Sequence, residues 1–230
     1  MTKTYLVYKN HYLRDYMDKT VYRGDQNPNK IYTEMVQMSI ESAKKHLKGD
    51  WELVFFEDEY ENYQEMIIEH HFRLFEMWKR EPCHIIDMDS DTLWHRDIEL
   101  SKFHSIKCLS TLGWTASCVY YPHEMSEKLW EMSHKQIKKW DKWADEQELY
   151  VSLMKAQKVR YKKGDGTTIV GQYYPKAKNI LFEAHECTID DISHEEIEQP
   201  LIHFHGTRDL EGRLAMMKKV RDDANGLRTF

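Results

Sequence analysis

The segment that most restricts the fold of this chain is a short, mostly apolar run that is followed directly by alternating aspartates. The run from Cys83 to Ile86 is typical of a buried strand, and Asp87, Asp89 and Asp91 follow it. Alternate residues of an extended segment point the same way, so the three carboxylates could lie on one side at the carboxyl end of the strand. Ligands of open α/β sheets bind at that end. Because Mg²⁺ and Mn²⁺ prefer oxygen ligands, the segment predicts a metal site that could also hold the phosphates of a ligand.

Three other interpretations fit parts of the same segment. An aspartate-based phosphatase has Asp-x-Asp followed by a small residue and Thr-Leu, but here one residue too many separates the pair that starts at Asp87 from Thr92-Leu93. A calcium loop starting at Asp87 would need glycine sixth and an acidic residue twelfth, where the chain has Thr92 and Ile98. The third interpretation is a strand followed by a solvated acidic turn, since aspartate favours turns. Three aspartates directly after a buried strand argue against it.

Composition limits the class of protein. The chain has 230 residues, 41% hydrophobic and 31% charged, which suits one domain with a real core. Its net charge of −6 argues against nucleic acid as the main partner. Its four cysteines show no paired spacing, which is typical of a reducing compartment. No apolar run approaches the roughly 20 residues of a membrane helix, and no signal-peptide core is present, so we expect a cytoplasmic chain without a transmembrane segment.

The order of the predicted elements indicates an α/β fold. Strands at Thr4–Tyr8, at Trp51–Phe56 and before the aspartates alternate with helices near 35–47 and 63–78. This doubly wound pattern predicts a mixed, mostly parallel central sheet flanked by helices. The later part of the chain adds further predicted elements: strands at 106–112, 115–121, 179–183 and 201–204, helices at 123–143, 144–157 and 210–222, and a hairpin at 159–174.

A second group of polar residues follows the strand near residue 203. His203 and His205 would face one side of an extended segment, and Gly206 lets the backbone approach a ligand closely. A neutral imidazole can be the third protein ligand of a Mn²⁺ ion held by two aspartates. Arg208 and Arg213 could pair with phosphate oxygens. The alternative is one buried structural histidine and one surface histidine, and the sequence leaves open which of the two would bind the metal.

Residues 72–78, with an arginine, and 84–98, with Asp-x-Asp-Thr-Leu, resemble the core of GT-A type glycosyltransferases. The likeness is strongest to the group of glycogenin and the bacterial lipopolysaccharide galactosyltransferases. It implies a single GT-A, Rossmann-like domain over residues 1–230. Residues 1–100 would form its nucleotide-sugar-binding half and residues 101–230 its acceptor-binding half.

The resemblance also assigns roles around a metal ion. Asp89 and Asp91 match the Asp-x-Asp pair, which implies Mn²⁺, or Mg²⁺, bridging the diphosphate of a nucleotide sugar. His203 and Gly206 match the start of the family's His-x-x-Gly-x-x-Lys segment, which implies that His203 is the third metal ligand. The predicted donor-binding residues are Tyr8, Asn10, Arg73, Asp89, Ser90, Gly206 and Arg208, with Tyr8 stacking on the base and Arg73 near the donor sugar.

The predicted catalytic residues come from another short motif. Glu146-Gln147-Glu148 resembles the family's Asp-Gln-Asp, whose acidic residue and amide lie beside the reacting sugar. Glu146, Gln147 and Asp145 are therefore the candidates to stabilise the developing oxocarbenium ion or to deprotonate the acceptor. Kinship with the glycogenin group implies retention of configuration, whereas a base at Asp145 or Glu146 implies inversion.

Two departures from the family pattern stand out. Asp209 takes the place of the lysine, and residues 115–117 read Thr-Ala-Ser instead of Asn-Ala-Gly. The predicted function is a metal-dependent glycosyltransferase that moves a sugar, from a UDP-sugar in preference, to a glycan or another hydroxyl acceptor. The alternatives are a metal-dependent aspartate-based phosphohydrolase and a non-catalytic domain that binds nucleotide sugar.

Overall fold

The fold is built on a five-stranded mixed sheet. It is seen in a computed structural model, which describes residues 2–10, 12–13, 28–106, 109–111, 117–137, 181–183, 200–204 and 210–226. The sheet order is β4-β1-β6-β10-β9. These strands are β1 (Thr4–Lys9), β4 (Glu52–Phe56), β6 (His84–Met88), β9 (Ser110–Thr111) and β10 (Cys118–Tyr121). β1 runs parallel to β4 and β6, whereas β10 runs antiparallel to β6 and β9, which confirms the predicted mixed, mostly parallel α/β class.

Helices cover both faces of this sheet. The described helices are α1 (Pro28–His46), α2 (Tyr63–Arg80), α3 (Ser101–His104), α4 (Glu127–Ile137) and α5 (Leu210–Gly226), of which α5 packs on α1. On one face, Leu6 and Ile86 pack with residues of α1. On the other, Val7 and Ile85 pack with residues of α2 and α4. Because neighbouring strand residues point to opposite faces, β1 and β6 must be apolar on both sides, which explains their continuous apolar sequence.

The strand that follows β6 in the chain belongs to a second sheet. It has the order β11-β12-β7 and consists of β7 (Thr92–Trp94), β11 (Leu181–Glu183) and β12 (Leu201–His203). β12 pairs antiparallel with β7, and His203 lies opposite Thr92. Short two-stranded pairings join β2 (Tyr12–Leu13) to β5 (Glu59–Tyr60), and β3 (Leu47–Lys48) to β8 (Ile98–Glu99). The second sheet thereby brings a distant part of the chain to the aspartate segment.

Several elements differ from the sequence-based expectation in their burial or in the residue at which they begin. The strand expected at residues 51–56 is β4, which leaves Leu53 38% exposed. Among the strands that the structure describes, only β1 pairs with β4, which therefore lies at the edge of the sheet. The helix predicted near residues 35–47 begins earlier than expected, since α1 starts at Pro28, a residue that suits the first turn of a helix. Gly49 directly follows β3 and has φ of 122°, and a Cβ there would lie 2.9 Å from Leu100 Cβ, so glycine is the residue that fits.

Some predictions fall outside the described residues. The helix predicted at 144–157 and the hairpin predicted at 159–174 are among them. Within the described part of the chain, no helix combines the length and the apolar character that crossing a membrane requires.

The central position of β6 and the edge position of β4 can be compared by substitution. Ile86 is 0% exposed, whereas Leu53 is 38% exposed. We expect Ile86→Ala to lower the free energy of unfolding by about 2–5 kcal/mol, because it leaves a cavity in the core. Leu53→Ala should cost about 1 kcal/mol or less. Urea denaturation of both variants measures the difference, and equal losses would contradict the assignment of β4 as the exposed edge.

Candidate functional site

The aspartate segment forms a turn between β6 and β7, and the turn is held by backbone hydrogen bonds on several sides. The Asp89 N–H donates to the Ser117 carbonyl oxygen at 2.9 Å, and the Thr92 hydroxyl donates to the Asp89 carbonyl oxygen at 2.8 Å. The Phe204 N–H donates to the Asp91 carbonyl oxygen at 2.9 Å. The side chains of the turn are therefore positioned by β10, β7 and β12, at the carboxyl end of β6 where the sequence predicted a ligand site.

The structure brings together the three residues predicted to bind a metal ion. One side-chain ligand atom each from Asp89, Asp91 and His203 lies within 4.8 Å of the others. His203 Nε2 is 3.3 Å from Asp91 Oδ1, because the pairing of β12 with β7 places His203 beside the turn. Two carboxylates and one imidazole are a donor set that fits Mn²⁺. Residue 205, the other histidine considered, lies outside the described residues.

Two basic side chains lie against these carboxylates. Lys9 Nζ is 3.2 Å from Asp89 Oδ1, and the Lys9 side chain is 4% exposed although it carries a charge. Arg213 Nη1 donates to Asp91 Oδ2 at 2.6 Å. Burial alone would raise the pKa of Asp91, but His203 and Arg213 outweigh it and hold the pKa well below its usual range. Asp91 is therefore an ionised carboxylate at neutral pH, as a metal ligand must be.

Asp87 does not join this group of three, which corrects the expectation that all three carboxylates would act from one side. It belongs to β6 and faces α2, where His70 Nε2 lies 2.7 Å from its Oδ1 with both residues buried. Burial favours the neutral acid, but His70 and Lys9 outweigh it and lower the pKa of Asp87. Sequence reasoning missed this pair, although the helical spacing of His70 placed it on the buried face of α2.

Tyr8 does not occupy the position that stacking on a base would need. Its side chain is 0% exposed, on the α1 face of the sheet, and its hydroxyl lies 2.8 Å from Ser39 Oγ. Burial raises its pKa strongly, so the hydroxyl stays protonated. The predicted stacking role of Tyr8 is therefore wrong, because side chains alternate along β1 and this one points into the core.

Three other predicted donor-binding residues, Asn10, Ser90 and Arg73, belong to the described part of the chain. Asn10 is 2% exposed at the end of β1, and its N–H donates to the Phe56 carbonyl oxygen at 2.8 Å. Ser90 is buried within the turn, between the two aspartates. Arg73 forms two contacts with the Asp58 carboxylate, one of them at 2.8 Å, and its guanidinium lies 5.4 Å from the centre of the Phe56 ring.

Arg73 lies at the same end of the sheet as the aspartate turn. Its guanidinium is beside Phe56, which pairs with Lys9 in the register of β4 and β1, and Lys9 contacts Asp89. The remaining predicted residues, Gly206, Arg208, Glu146, Gln147 and Asp145, lie outside the described residues.

Comparison with known proteins gives a fold but no family. No protein-family model matches the chain, and no curated protein matches it. Among solved structures, it is similar to a glycosyltransferase involved in the glycosylation of the major capsid of PBCV-1. The match has a TM-score of 0.56 and 10% identity, and it covers 94% of this chain and 99% of that chain. The chain therefore has the fold of a glycosyltransferase.

The buried charges at Asp91 predict a specific response to acid. Because its pKa is lower in the folded than in the unfolded chain, Asp91 stabilises the fold above about pH 4, and this contribution is lost as the pH falls further. Asp91→Asn should lower the free energy of unfolding at pH 6 by about 1.5–3 kcal/mol. In the Asp91→Asn variant, the free energy of unfolding should also fall less steeply below pH 4 than in the parent.

Urea denaturation at several pH values measures both effects. Asp222→Asn serves as the control, since the Asp222 side chain is 62% exposed and should change the stability at pH 6 by about 0.5 kcal/mol or less. An Asp91→Asn variant as stable as the parent at pH 6, with the same decline in acid, would contradict the role of this carboxylate.

Proposed function

We propose that this chain is a metal-dependent glycosyltransferase that moves a sugar from a nucleoside-diphosphate sugar, with a UDP-sugar preferred, to a hydroxyl of a glycan or another acceptor. The observation that carries the proposal is the convergence of Asp89, Asp91 and His203 at the carboxyl end of β6. They converge in a fold shared with a glycosyltransferase. Fold likeness at this identity leaves the activity to be argued from the site itself.

The donor set supports Mn²⁺, or Mg²⁺, as the cofactor. Asp89, Asp91 and His203 would hold the ion, leaving further positions for the oxygens of a diphosphate. When bound, such an ion neutralises the charge of the diphosphate and stabilises the leaving group as a Lewis acid. Asp91, whose pKa is lowered and which is 6% exposed, is suited to this task, since a hard cation replaces the counter-charges that a buried carboxylate otherwise needs.

Basic side chains around the turn support an anionic ligand. Lys9 and Arg213 each lie within hydrogen-bonding distance of one of the metal-site carboxylates. Arg73 adds a third positive charge beside Phe56, which pairs with Lys9 at the end of β1. These cations are paired with Asp89, Asp91 and Asp58, so the site gains a net positive charge, which attracts an anion, once a divalent ion has bound to the carboxylates. We propose that Lys9 and Arg213 contact the diphosphate, which supplies the basic contact that the family's lysine makes and Asp209 cannot.

The finer assignments follow from the resemblance to the glycogenin group. We propose that the fold is of the GT-A type, with residues 1–100 binding the donor and residues 101–230 the acceptor. Arg73 would lie toward the donor sugar, and Gly206 and Arg208 would complete the phosphate side. Glu146, Gln147 and Asp145 are proposed as the residues that act at the anomeric carbon or on the acceptor hydroxyl.

The alternative function, a phosphohydrolase that uses Asp87 or Asp89, is not supported for Asp87. Asp87 is 5% exposed and bonded to His70 at 2.7 Å, so its carboxylate faces α2 and not the open side of the turn. Asp89, at 34% side-chain exposure, remains accessible to a phosphoester.

A thermal-shift screen tests the proposal. The purified protein is heated with UDP, GDP, CMP or dTDP, each with Mn²⁺, with Mg²⁺ and with EDTA. A ligand at 100-fold its Kd stabilises the folded state by about 2.7 kcal/mol, which is roughly 5–10 °C for a chain of this size. We expect one nucleoside diphosphate to raise the midpoint in the presence of Mn²⁺ only.

Two variants locate the effect. Asp91→Asn should abolish the Mn²⁺-dependent rise, measured against its own baseline. Asp97→Asn is the matched control, because Asp97 belongs to the same segment but pairs with His46 and Lys48 and is 59% exposed. It should keep the rise.

The outcomes separate the three functions. Transfer of sugar from the donor of the stabilising nucleotide supports the transferase. Metal-dependent binding without transfer or hydrolysis would favour the non-catalytic domain. Release of phosphate from simple phosphoesters, with no nucleotide effect, would favour the phosphohydrolase.

A further inference from the structure

A second group of metal-ligating side chains lies at the opposite end of β6. His84 begins this strand, five residues before Asp89, which separates the two groups by about 16 Å along an extended chain. His84 is 5% exposed and meets His123 and Glu124, which follow β10. One ligand atom from each of these three side chains lies within 4.8 Å of the others.

The distances match those between ligands of one ion. His84 Nε2 is 3.2 Å from His123 Nδ1, and His123 Nδ1 is 2.9 Å from Glu124 Oε2. Zinc binds imidazole nitrogen at about 2.0–2.1 Å in a tetrahedral arrangement, which places two ligand atoms about 3.4 Å apart. The separation of the two imidazole nitrogens is therefore close to that of two zinc ligands, and the carboxylate needs to withdraw by only about half an ångström.

Neighbouring groups fix the orientation of the buried imidazole. The Tyr120 hydroxyl lies 2.6 Å from His84 Nδ1, and the His84 ring stacks on His104 with 4.4 Å between ring centres. His104 Nε2 is in turn 2.9 Å from Thr4 Oγ1. A histidine that binds a metal through one nitrogen commonly donates the proton on the other to a fixed oxygen. His84 Nδ1 faces both the Tyr120 hydroxyl and, at 3.4 Å, the His123 backbone N–H, which can donate to it. An ion at Nε2 requires the tautomer whose Nδ1 proton is donated to Tyr120, because only then is the lone pair of Nε2 open to the ion.

The chemistry of this group differs from that of the aspartate turn. Two imidazoles and one carboxylate match a known zinc donor set that leaves one position for water, whereas oxygen-rich sites suit Mg²⁺ and Mn²⁺. The His123 side chain is 34% exposed and that of Glu124 is 37% exposed, so an ion can enter from solvent.

We propose that His84, His123 and Glu124 form a second metal site, which binds a transition-metal ion such as Zn²⁺ at the end of the sheet opposite the aspartate turn. The site ties β6 to the segment that leads from β10 into α4. The ion would hold together three side chains from two separate parts of the chain and so stabilise the fold, while its fourth position stays open to water.

Zinc binding to the purified full chain, first stripped with a chelator, tests this proposal. Equilibrium dialysis gives the number of bound zinc ions, and the thermal midpoint is followed through a zinc titration. We expect His123→Asn to bind one zinc ion fewer than the parent and to lose the corresponding rise in the midpoint. Zinc held at the aspartate turn is common to both proteins and does not affect the difference.

Two further variants sharpen the test. His46→Asn is the matched control, since His46 also contacts a carboxylate, with Nδ1 2.8 Å from Asp97 Oδ1, and it should bind zinc as the parent does. Tyr120→Phe keeps all three ligands but removes the oxygen that orients His84, so zinc affinity should fall roughly 10- to 100-fold.

Two results would overturn the proposal. One is equal zinc stoichiometry in the parent and in His123→Asn. The other is that zinc does not raise the thermal midpoint of the parent protein. The 3.2 Å contact would then be only an N–H···N hydrogen bond between two histidines. The Mn²⁺-dependent effect of a nucleoside diphosphate should persist in His123→Asn, so this site and the proposed donor site can fail independently.

Discussion

The structure depends on how it neutralises carboxylates that are held away from water at the end of its central strand. Asp87 and Asp91 are 5% and 6% exposed, and an isolated ionised carboxylate in such a place would be very costly. Their partners come from elements far apart in the chain: His70 from α2, His203 from β12 and Arg213 from α5. Removing one partner of a buried pair typically costs about 3–5 kcal/mol, so these contacts constrain the whole arrangement of β6 and its neighbours.

This constraint explains why a small second sheet is attached to the main one. The register of β12 on β7 sets His203 opposite Thr92, next to Asp91. The apolar residues of β7, β12 and α5 then pack against α1, with Leu93, Ile202 and Leu214 among them. Packing and charge pairing thus select the same placement of the carboxyl-terminal part of the chain, although Arg213 and Asp91 are 122 residues apart.

The sequence predicted the parts of this arrangement that depend on local patterns. Apolar runs and helical spacing located β1, α1, α2 and β6, because an element that buries one or two faces has a recognisable pattern of apolar residues along its sequence. The chemistry of imidazole suggested that His203 or His205 would bind the metal ion, and the family resemblance selected His203, whereas periodicity placed neither beside the aspartates. The pairs His70 with Asp87 and Arg213 with Asp91 were not predicted, since a period shows which face a side chain takes but not which partner it meets there.

Tyr8 shows how a correct element can still give a wrong site residue. The strand was predicted in its correct place, yet the alternation that makes Val7 face α2 makes Tyr8 face α1. The same alternation puts Asp87 on the α2 face, so counting along β6 from Ile85 would have separated it from the metal ligands. The turn after Met88 breaks the alternation, and no strand rule applies to Asp89 and Asp91.

The charges around the turn have a consequence for the order of ligand binding under the proposed function. The negative charges of Asp89 and Asp91 are already balanced by Lys9 and Arg213. A divalent ion entering alone would create an excess of two positive charges in a partly buried space, which is unfavourable. The two negative charges of a nucleotide-sugar diphosphate remove that excess and can take Lys9 and Arg213 as new partners. The metal and the donor should therefore bind with positive cooperativity, each increasing the affinity for the other by the same factor.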